Sequence, residues 1–265
     1  MSHPLANVHP EAKIGKNVTI EPFATVQKNV AIGDGSWIGP NVVIWEGARL
    51  GKNVNVFPGA SISAIPQDLK FAGEETETFI GDNTVIREFV TISRGTSDKY
   101  KTTVGSNCLL MAYVHIAHDC VVGNNCILAN TVQLAGHVQI DDWAIIGGSS
   151  AVHQFVKVGA HVMVSGGSLV RKDIPPFTKA AREPLTYCGI NTIGLRRRGF
   201  DGDKINEIQE IYRYIFLKGL NNSKAIDLVE KELPASPERD YVINFIRSSE
   251  RGIMKGFSTS TSSFE

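Results

Sequence analysis

The sequence predicts a parallel β solenoid followed by an α-helical C-terminal domain, and two periodicities carry this prediction. From Val8 to Val170, 28 positions follow one another at six-residue spacing, and 25 of them hold Ile, Leu or Val. Neither an α-helix nor an ordinary strand repeats every six residues, but a coiled chain that sends one aliphatic side chain per hexad inward does. After Val170 the aliphatic repeat is expected to stop at the consecutive prolines Pro175 and Pro176, which cannot continue a ladder, and apolar residues then recur at helical spacing.

Three hexads lack the aliphatic residue, and they mark two predicted loops. Asp68 and Glu74 lie in a polar stretch near 63–78, and Asp98 lies in a second one near 95–103. A carboxylate is costly in an apolar interior. We therefore expect both stretches to leave the solenoid as loop excursions.

The remaining hexads predict sharp turns between short strands, because many have Gly in second place, often followed by Asn or Asp. These residues tolerate the backbone conformations of tight turns. Three flat faces per coil would give about 18 residues a coil, with neighbouring coils about 4.8 Å apart in parallel ladders. Residues 18 apart in sequence are then expected to stack.

The helical period begins at Ile205 and continues to Phe216, which predicts one helix. A second is expected over 223–233, and Ser236 followed by Pro237 predicts the start of a third. The predicted domains are a β-helix over 1–183 and a helical domain over 184–265. The stretch from Gly256 to the end is expected to be a disordered tail.

Charge, apolar stretches and cysteine spacing restrict the partners, the location and the cysteine chemistry that the sequence allows. With 27 basic and 27 acidic residues, the chain has no general affinity for polyanions, so nucleic acid is not an expected partner. The N-terminus lacks a signal pattern, and no apolar stretch reaches the roughly 18 residues that span a membrane. We expect a cytoplasmic protein without stable membrane insertion. Cysteines 108, 120, 126 and 188 show no CxxC spacing and are expected to be reduced core residues.

The 18-residue rule also assembles a candidate catalytic group. It stacks His118 below Gly136 and Gln154, and it stacks Asp119 below His137. A neutral imidazole accepts protons near pH 7, and a neighbouring carboxylate fixes its tautomer. A glycine N–H next to it can stabilise the oxyanion of an acyl-transfer intermediate. The pattern favours a base that activates a substrate hydroxyl without a covalent enzyme intermediate.

Two other interpretations of the histidines stay open at this point. His115, His118, His137 and His153 lie within four predicted coils. Imidazole clusters also suit zinc, and one class of solenoid hydratase holds zinc with three histidines shared between subunits. Exposed histidines on a purely structural solenoid would need no function at all.

Several segments resemble the UDP-N-acetylglucosamine O-acyltransferase family, which catalyses the first step of lipid A synthesis. The most specific are HIAHDC at 115–120, LAGH at 134–137 and AVHQF at 151–155. Further similar segments are 67–70, 91–95, 125–130, 145–148, 159–164 and 197–200. The resemblance covers nearly the whole chain.

This resemblance implies a left-handed parallel β-helix, a homotrimer with sites between subunits, and no cofactor. It implies transfer of an (R)-3-hydroxyacyl group from the phosphopantetheine of acyl carrier protein to the 3-hydroxyl of UDP-N-acetylglucosamine. An amine acceptor, on a 3-amino nucleotide sugar or a later lipid A intermediate, would need the same geometry and stays open.

The resemblance also assigns roles to residues. His118 is implied as the general base, Asp119 as its orienting group, and the Gly136 N–H as the oxyanion donor. Gly166 is implied to leave room for a long acyl chain. The implied contacts to sugar or reacting groups are Asp68, Lys70, His115 and His137, and those to the nucleotide are His153, Gln154, Asn191, Arg197 and Arg198. Two departures are Ser93, where relatives have histidine, and Ile193, where they have glutamate.

Overall fold

The computed structural model describes residues 2–256, in which short strands wind into a three-sided prism of parallel sheets. The predicted parallel solenoid is therefore confirmed. The first sheet contains β1 (Asn7–Val8), β4 (Thr25–Val26), β7 (Val43–Ile44), β10 (Ser61–Ala64), β13 (Thr91–Ser93), β16 (His115–Ile116), β19 (Gln133–Leu134), β22 (Ala151–Val152) and β25 (Leu169–Val170). The second contains β2 (Lys13–Ile14), β5 (Ala31–Ile32), β8 (Ala48–Leu50), β11 (Glu77–Ile80), β14 (Lys101–Val104), β17 (Val121–Val122), β20 (Gln139–Ile140) and β23 (Lys157–Val158). The third contains β3 (Thr19–Ile20), β6 (Trp37–Ile38), β9 (Asn55–Val56), β12 (Val85–Ile86), β15 (Leu109–Leu110), β18 (Ile127–Leu128), β21 (Ile145–Ile146), β24 (Met163–Val164), β26 (Thr178–Ala181), β27 (Thr186–Ile190) and β28 (Lys255–Gly256).

The register of the ladders shows the coil length. In regular coils the partner lies 18 residues on, as for Ile116 and Leu134. Across the two excursions, Ile62 pairs with Ile92 and Ile92 pairs with Ile116, which are separations of 30 and 24 residues. The excursions thus add 12 and 6 residues to an 18-residue coil. Whole hexads are added, so the aliphatic phase is kept.

The repeat positions fill the interior of the prism, where the aliphatic side chains form one continuous buried cluster. Cys108, Cys120 and Cys126 lie buried in it as free thiols, and Cys188 is half-buried and also free. At the corners, the second turn residue takes a left-handed backbone conformation, with φ of 56° at Asn17. Because Asn and Gly tolerate this region best, they recur there.

The prism does not end at the consecutive prolines as we predicted from the sequence. Pro176 lies in a turn instead of a strand, and β26 then pairs in parallel with β24. β27 continues the same sheet in antiparallel orientation. The expectation failed because a proline at a corner removes no ladder hydrogen bond. The predicted domain boundary after residue 183 falls in the turn between β26 and β27 and stays a prediction.

Four helices follow in the chain up to residue 256, and three lie where the sequence predicts them: α2 (Gly202–Leu217), α3 (Asn222–Glu232) and α4 (Pro237–Arg247). Asp201, Asn221 and Ser236 cap their N-termini by accepting backbone hydrogen bonds. A short helix, α1 (Thr192–Arg197), was not predicted.

The helices pack around a second apolar cluster, and the buried Tyr212 hydroxyl within it donates to the Pro176 carbonyl. The tail prediction is wrong at Gly256, because that residue lies in β28 and pairs with Tyr187 of β27. Residues 257–265 lie outside the described part. No helix within residues 2–256 combines the length and apolar character that a bilayer crossing requires.

Candidate active site

The candidate site is built on the corner that joins the first sheet to the second, here called the first corner. His118 and Asp119 follow β16, and Gly136 and His137 occupy the same turn one coil later. The His137 N–H donates to the His118 carbonyl over 3.1 Å, which fixes the two turns against each other. The structure therefore stacks these residues in the order that the 18-residue rule predicts.

His118 is held by a buried carboxylate. Its Nδ1 lies 2.8 Å from Oδ2 of Asp119, which is fully buried. Burial raises the pKa of Asp119, but hydrogen bonds from Thr96 and His118 outweigh it and leave that pKa below its usual range. Asp119 stays ionised and accepts a hydrogen bond from Nδ1–H, so Nε2 of His118 is left as the proton acceptor.

Gly136 leaves space beside that nitrogen. A Cβ built on Gly136 would lie 2.8 Å from Nε2 and 2.7 Å from Cε1 of His118, closer than real Cβ contacts. No residue in the described range 2–256 accepts a hydrogen bond from the Gly136 N–H. This turn therefore offers an unobstructed amide donor next to a proton acceptor.

His137 forms the upper wall of the site. Its ring stacks on Phe155 with centroids 4.5 Å apart and meets the His118 ring edge-on at 5.1 Å. Its Nδ1 lies 3.2 Å from Asp98 but forms no aligned hydrogen bond with any described residue, so the contact is electrostatic. Burial lowers the pKa of His137 even though Asp119 favours its charged form.

The excursions and the sheet complete the first corner. Asp68, on the first excursion, lies 4.0 Å from Nε2 of His118, and the Lys70 backbone N–H donates to Asp68. His115 lies on β16 with Nδ1 2.8 Å from the Thr91 hydroxyl, and burial together with the nearby His118 lowers its pKa. His153 and Gln154 are exposed in the next turn above. All these predicted residues lie on one corner or the sheet beside it.

The predicted arginines lie elsewhere, at the second corner, which joins the second sheet to the third. The Arg198 guanidinium lies over the Trp143 ring at 5.4 Å, and its Nη1 is 3.4 Å from Nδ1 of His161. No carboxylate within the described part of the chain comes within 4.0 Å of Arg198. Burial, reinforced by Arg198, lowers the pKa of His161 to about 4, so His161 is a neutral acceptor.

The buried side chain of Asn191 contacts the second corner. Its side chain accepts from Gly194 N–H at the start of α1 and donates to the His161 carbonyl over 2.9 Å. Arg197 is exposed at the end of α1. The second sheet separates this group from His118. Within one chain, therefore, Asn191, Arg197 and Arg198 do not lie beside the predicted base, whereas the other predicted nucleotide contacts, His153 and Gln154, lie at its corner.

Comparisons with known proteins agree with this architecture. A family profile described as "Udp N-acetylglucosamine O-acyltransferase; Domain 2" matches residues 173–254, and one described as "Bacterial transferase hexapeptide (six repeats)" matches 29–64 and 101–136. An acyl-(acyl-carrier-protein)–UDP-N-acetylglucosamine O-acyltransferase of Myxococcus xanthus is 47% identical over 254 residues, covering 96% of this chain and 98% of the relative. This chain belongs to the UDP-N-acetylglucosamine O-acyltransferase family.

Solved members of the UDP-N-acetylglucosamine O-acyltransferase family share the fold along almost the whole length. The protein from Bacteroides fragilis matches with a TM-score of 0.94 and 54% identity, over 96% of this chain and 100% of that one. The protein from Francisella novicida matches with a TM-score of 0.93 and 40% identity, over 96% and 94%. The left-handed parallel β-helix is thereby confirmed, and the chain is an acyltransferase.

The zinc interpretation is less favoured, because candidate zinc ligands already form hydrogen bonds within the protein. His118, Asp119 and His137 each offer one ligand atom within 4.8 Å of the others. His118 and Asp119 are hydrogen-bonded to each other, and both Asp119 oxygens accept hydrogen bonds from Thr96. A zinc ion needs such atoms free at about 2.0–2.2 Å. The geometry favours a hydrogen-bonded pair at the acyltransferase corner.

Sequence reasoning missed four residues of the two corners. Trp143 and His161 are 18 apart, so the stacking rule could have found them. Thr96 and Asp98 lie in an excursion, where the repeat has no register and gives no position. Their contacts to Asp119 and His137 come only from the folded structure.

Three residues singled out by the family resemblance, Gly166, Ser93 and Ile193, take part in none of the corner contacts described above. Gly166 lies at the turn between β24 and β25, and a Cβ on it would lie 3.1 Å from the Gly148 carbonyl. Ser93 is buried on β13, and the Ile193 side chain is exposed on α1.

Proposed function

We propose that this protein transfers an (R)-3-hydroxyacyl chain from acyl carrier protein to the 3-hydroxyl of UDP-N-acetylglucosamine. The observation that carries the proposal is the His118–Asp119 pair beside the open Gly136 N–H. Family membership supports the substrates, because the curated relatives are named for this reaction. The reaction starts lipid A synthesis in that assignment.

The chemistry needs one base and one oxyanion donor. Nε2 of His118 removes the proton of the sugar hydroxyl while its oxygen attacks the thioester carbonyl. The tetrahedral oxyanion accepts a hydrogen bond from the Gly136 N–H, and the ionised Asp119 stabilises the imidazolium that forms. Collapse breaks the C–S bond, and His118 returns the proton to the phosphopantetheine thiolate. The acyl group passes directly to the sugar, so no cofactor and no acylated enzyme residue take part.

The roles proposed for the other residues follow from where each lies in the fold. Asp68, Lys70, His115 and His137 surround the reacting atoms at the first corner, where they would hold the sugar. His153 and Gln154, exposed in the turn above, would extend the contact toward the nucleotide. Gly166 would keep the acyl channel open for a long chain.

Arg198 supplies the argument for a trimer. A half-buried guanidinium that no carboxylate among residues 2–256 pairs with is suited to bind a diphosphate by charge-assisted hydrogen bonds, with Arg197 and the capping Asn191 next to it. It lies one sheet away from His118 in the same chain. We therefore propose a C3 homotrimer in which the second corner of one subunit faces the first corner of the next.

Light scattering tests the assembly: we expect three times the chain mass, and a monomer at micromolar concentration would contradict it. The reaction is tested with purified protein, UDP-N-acetylglucosamine and a panel of hydroxyacyl carrier proteins from short to long. We expect transfer to the hydroxyl. Faster turnover on the 3-amino analogue of the sugar would replace this proposal with an amine acylation.

A further inference from the structure

The second excursion of the β-helix places Thr96 against the carboxylate of the catalytic pair. This side chain is buried, with 7% of its surface exposed. Its backbone N–H donates to Oδ1 of Asp119 over 3.0 Å, and its hydroxyl lies 2.6 Å from Oδ2. One threonine therefore bonds to both oxygens of the carboxylate that holds His118.

The direction of the Thr96 hydroxyl is fixed by its surroundings. The Asp98 N–H donates to Oγ1 of Thr96 over 3.3 Å, so that oxygen already accepts one bond. Asp119 is ionised and can only accept. The Thr96 proton must then point to Oδ2, the oxygen that also accepts from Nδ1 of His118. The bond is charge-assisted, a class stronger than neutral hydrogen bonds.

A second threonine makes a useful contrast. Thr102, at the far end of the same excursion, accepts the backbone N–H of Asp119 over 2.9 Å. It therefore supports the main chain of the turn, whereas Thr96 acts on the carboxylate. Without the Thr96 hydroxyl, the carboxylate would lose a donor inside the protein and could rotate away from the imidazole.

We propose that Thr96 is a positioning residue for the acyl transfer, which acts through Asp119 to hold the His118 imidazole in its reactive orientation. This proposal rests on the function proposed above, in which His118 is the base. It also gives the second excursion a role, since that segment exists in place of a regular corner and delivers Thr96 to the pair.

The first test compares three variants for kcat and for the KM of UDP-N-acetylglucosamine. Thr96→Val removes the hydroxyl but keeps the shape and the backbone donor. We expect kcat to fall about 10- to 100-fold, the range of a lost charge-assisted bond, with KM changed less than about twofold. Thr96→Ser keeps the hydroxyl and should recover kcat to within about threefold of the original protein. If the valine variant does not fold, Thr96→Ala removes the same hydroxyl with less bulk.

The matched control is Thr78→Val. Thr78 is also fully buried, but its hydroxyl has no hydrogen-bond partner among the described residues. Its replacement should leave kcat within about twofold, because no donor to a catalytic group is lost. An equal loss of kcat in both valine variants would overturn the positioning role and indicate a general packing effect.

A double-mutant cycle with Asp119→Asn separates this inference from the proposed function. On that background, Thr96→Val should lower kcat by less than about threefold, because the carboxylate through which it acts is gone. Independent, multiplicative losses would overturn the role of Thr96. His118→Ala is made alongside: full activity there refutes the proposed base, whereas an inactive His118→Ala with an unaffected Thr96→Val refutes Thr96 alone.

Discussion

The first and second corners of this prism have the same backbone and different chemistry. Asp119 and His161 occupy equivalent turn positions, with φ of 59° and 60°. At the first corner, carboxylates contact the imidazoles, and a threonine from an excursion donates to one of these carboxylates. At the second, aromatic rings and an arginine do. The side chains that cover a corner, and not the turn itself, therefore decide what it binds.

The histidines of the two corners show the difference most clearly. His118 bonds to an ionised carboxylate, which supports a proton acceptor that becomes an imidazolium. His161 is half-buried beside Arg198, and its pKa of about 4 keeps it neutral near pH 7. The first corner is thus suited to proton transfer and the second to binding an anion.

The largest effect should come from the proton acceptor. His118→Ala is expected to lower kcat by about 10²- to 10⁴-fold, the usual contribution of a general base. The fold and nucleotide binding should be retained, which circular dichroism and calorimetric titration check. His9→Ala changes a partly buried histidine far down the prism, and this control should keep full turnover. Unchanged turnover of the His118 variant would refute the base.

Loss of the arginine should act on binding instead. Arg198→Ala is expected to raise the KM for UDP-N-acetylglucosamine about 10- to 100-fold, from lost charge-assisted hydrogen bonds to the diphosphate. The effect on kcat should be smaller. Arg213→Ala removes an exposed arginine that pairs with Glu210 on α2 and should change neither parameter. A loss confined to kcat in the Arg198 variant would move that residue to the chemical step.

The aromatic platform under the arginine should contribute less. Trp143→Leu removes a cation–π contact of about 0.5–2 kcal/mol, so we expect KM to rise about 2- to 30-fold. Combined with Arg198→Ala it should add little, because the ring acts through the guanidinium. Steady-state kinetics of the single and double variants measure this. Full additivity would indicate that Trp143 contacts the substrate directly.

The smallest expected effect is on stability and pH. His161 binds protons more weakly in the folded protein than in the unfolded chain, where its pKa is about 6.5. The contribution of the lowered His161 pKa to the free energy of unfolding is therefore complete above about pH 6.5, and it is lost as the pH falls from about 6.5 toward about 4. Allowing for partial exposure, we expect a loss of roughly 1 kcal/mol between pH 7 and pH 5.

Urea unfolding at both pH values measures that loss, with His161→Phe as the reference. Phenylalanine keeps a ring against Phe177 but cannot titrate, so the other ionisable groups cancel in the difference. The reference should lose less stability over this interval. An equal loss in both proteins would mean that His161 titrates normally.

Much of the fold could be predicted because one physical rule repeats. Each hexad must bury one aliphatic residue, so Asp68 and Asp98 revealed the excursions, and stacking placed His118 below Gly136. The same rule failed at Pro176, because it did not distinguish a corner from a strand. It was also silent on α1, which is six residues long and carries one buried side chain.

The parts of the site that could not be predicted lie where the repeat is interrupted. Thr96 reaches Asp119 from a segment without register, and Arg198 reaches Trp143 from the helical domain. Such contacts depend on tertiary packing, which six-residue spacing does not encode. The family resemblance named Arg198 and implied sites between subunits, but it did not give the contacts of Arg198 with Trp143 and His161.

The claim that two corners from neighbouring subunits form one site is tested most directly with mixed trimers. His118→Ala and Arg198→Ala chains, carrying different tags, are co-expressed, and the mixed trimers are isolated and assayed at low UDP-N-acetylglucosamine. A mixed trimer contains one interface with both residues intact, so we expect about one third of the original activity, far above either uniform trimer. No recovery above the uniform trimers would contradict the account, because both residues would then act within one chain.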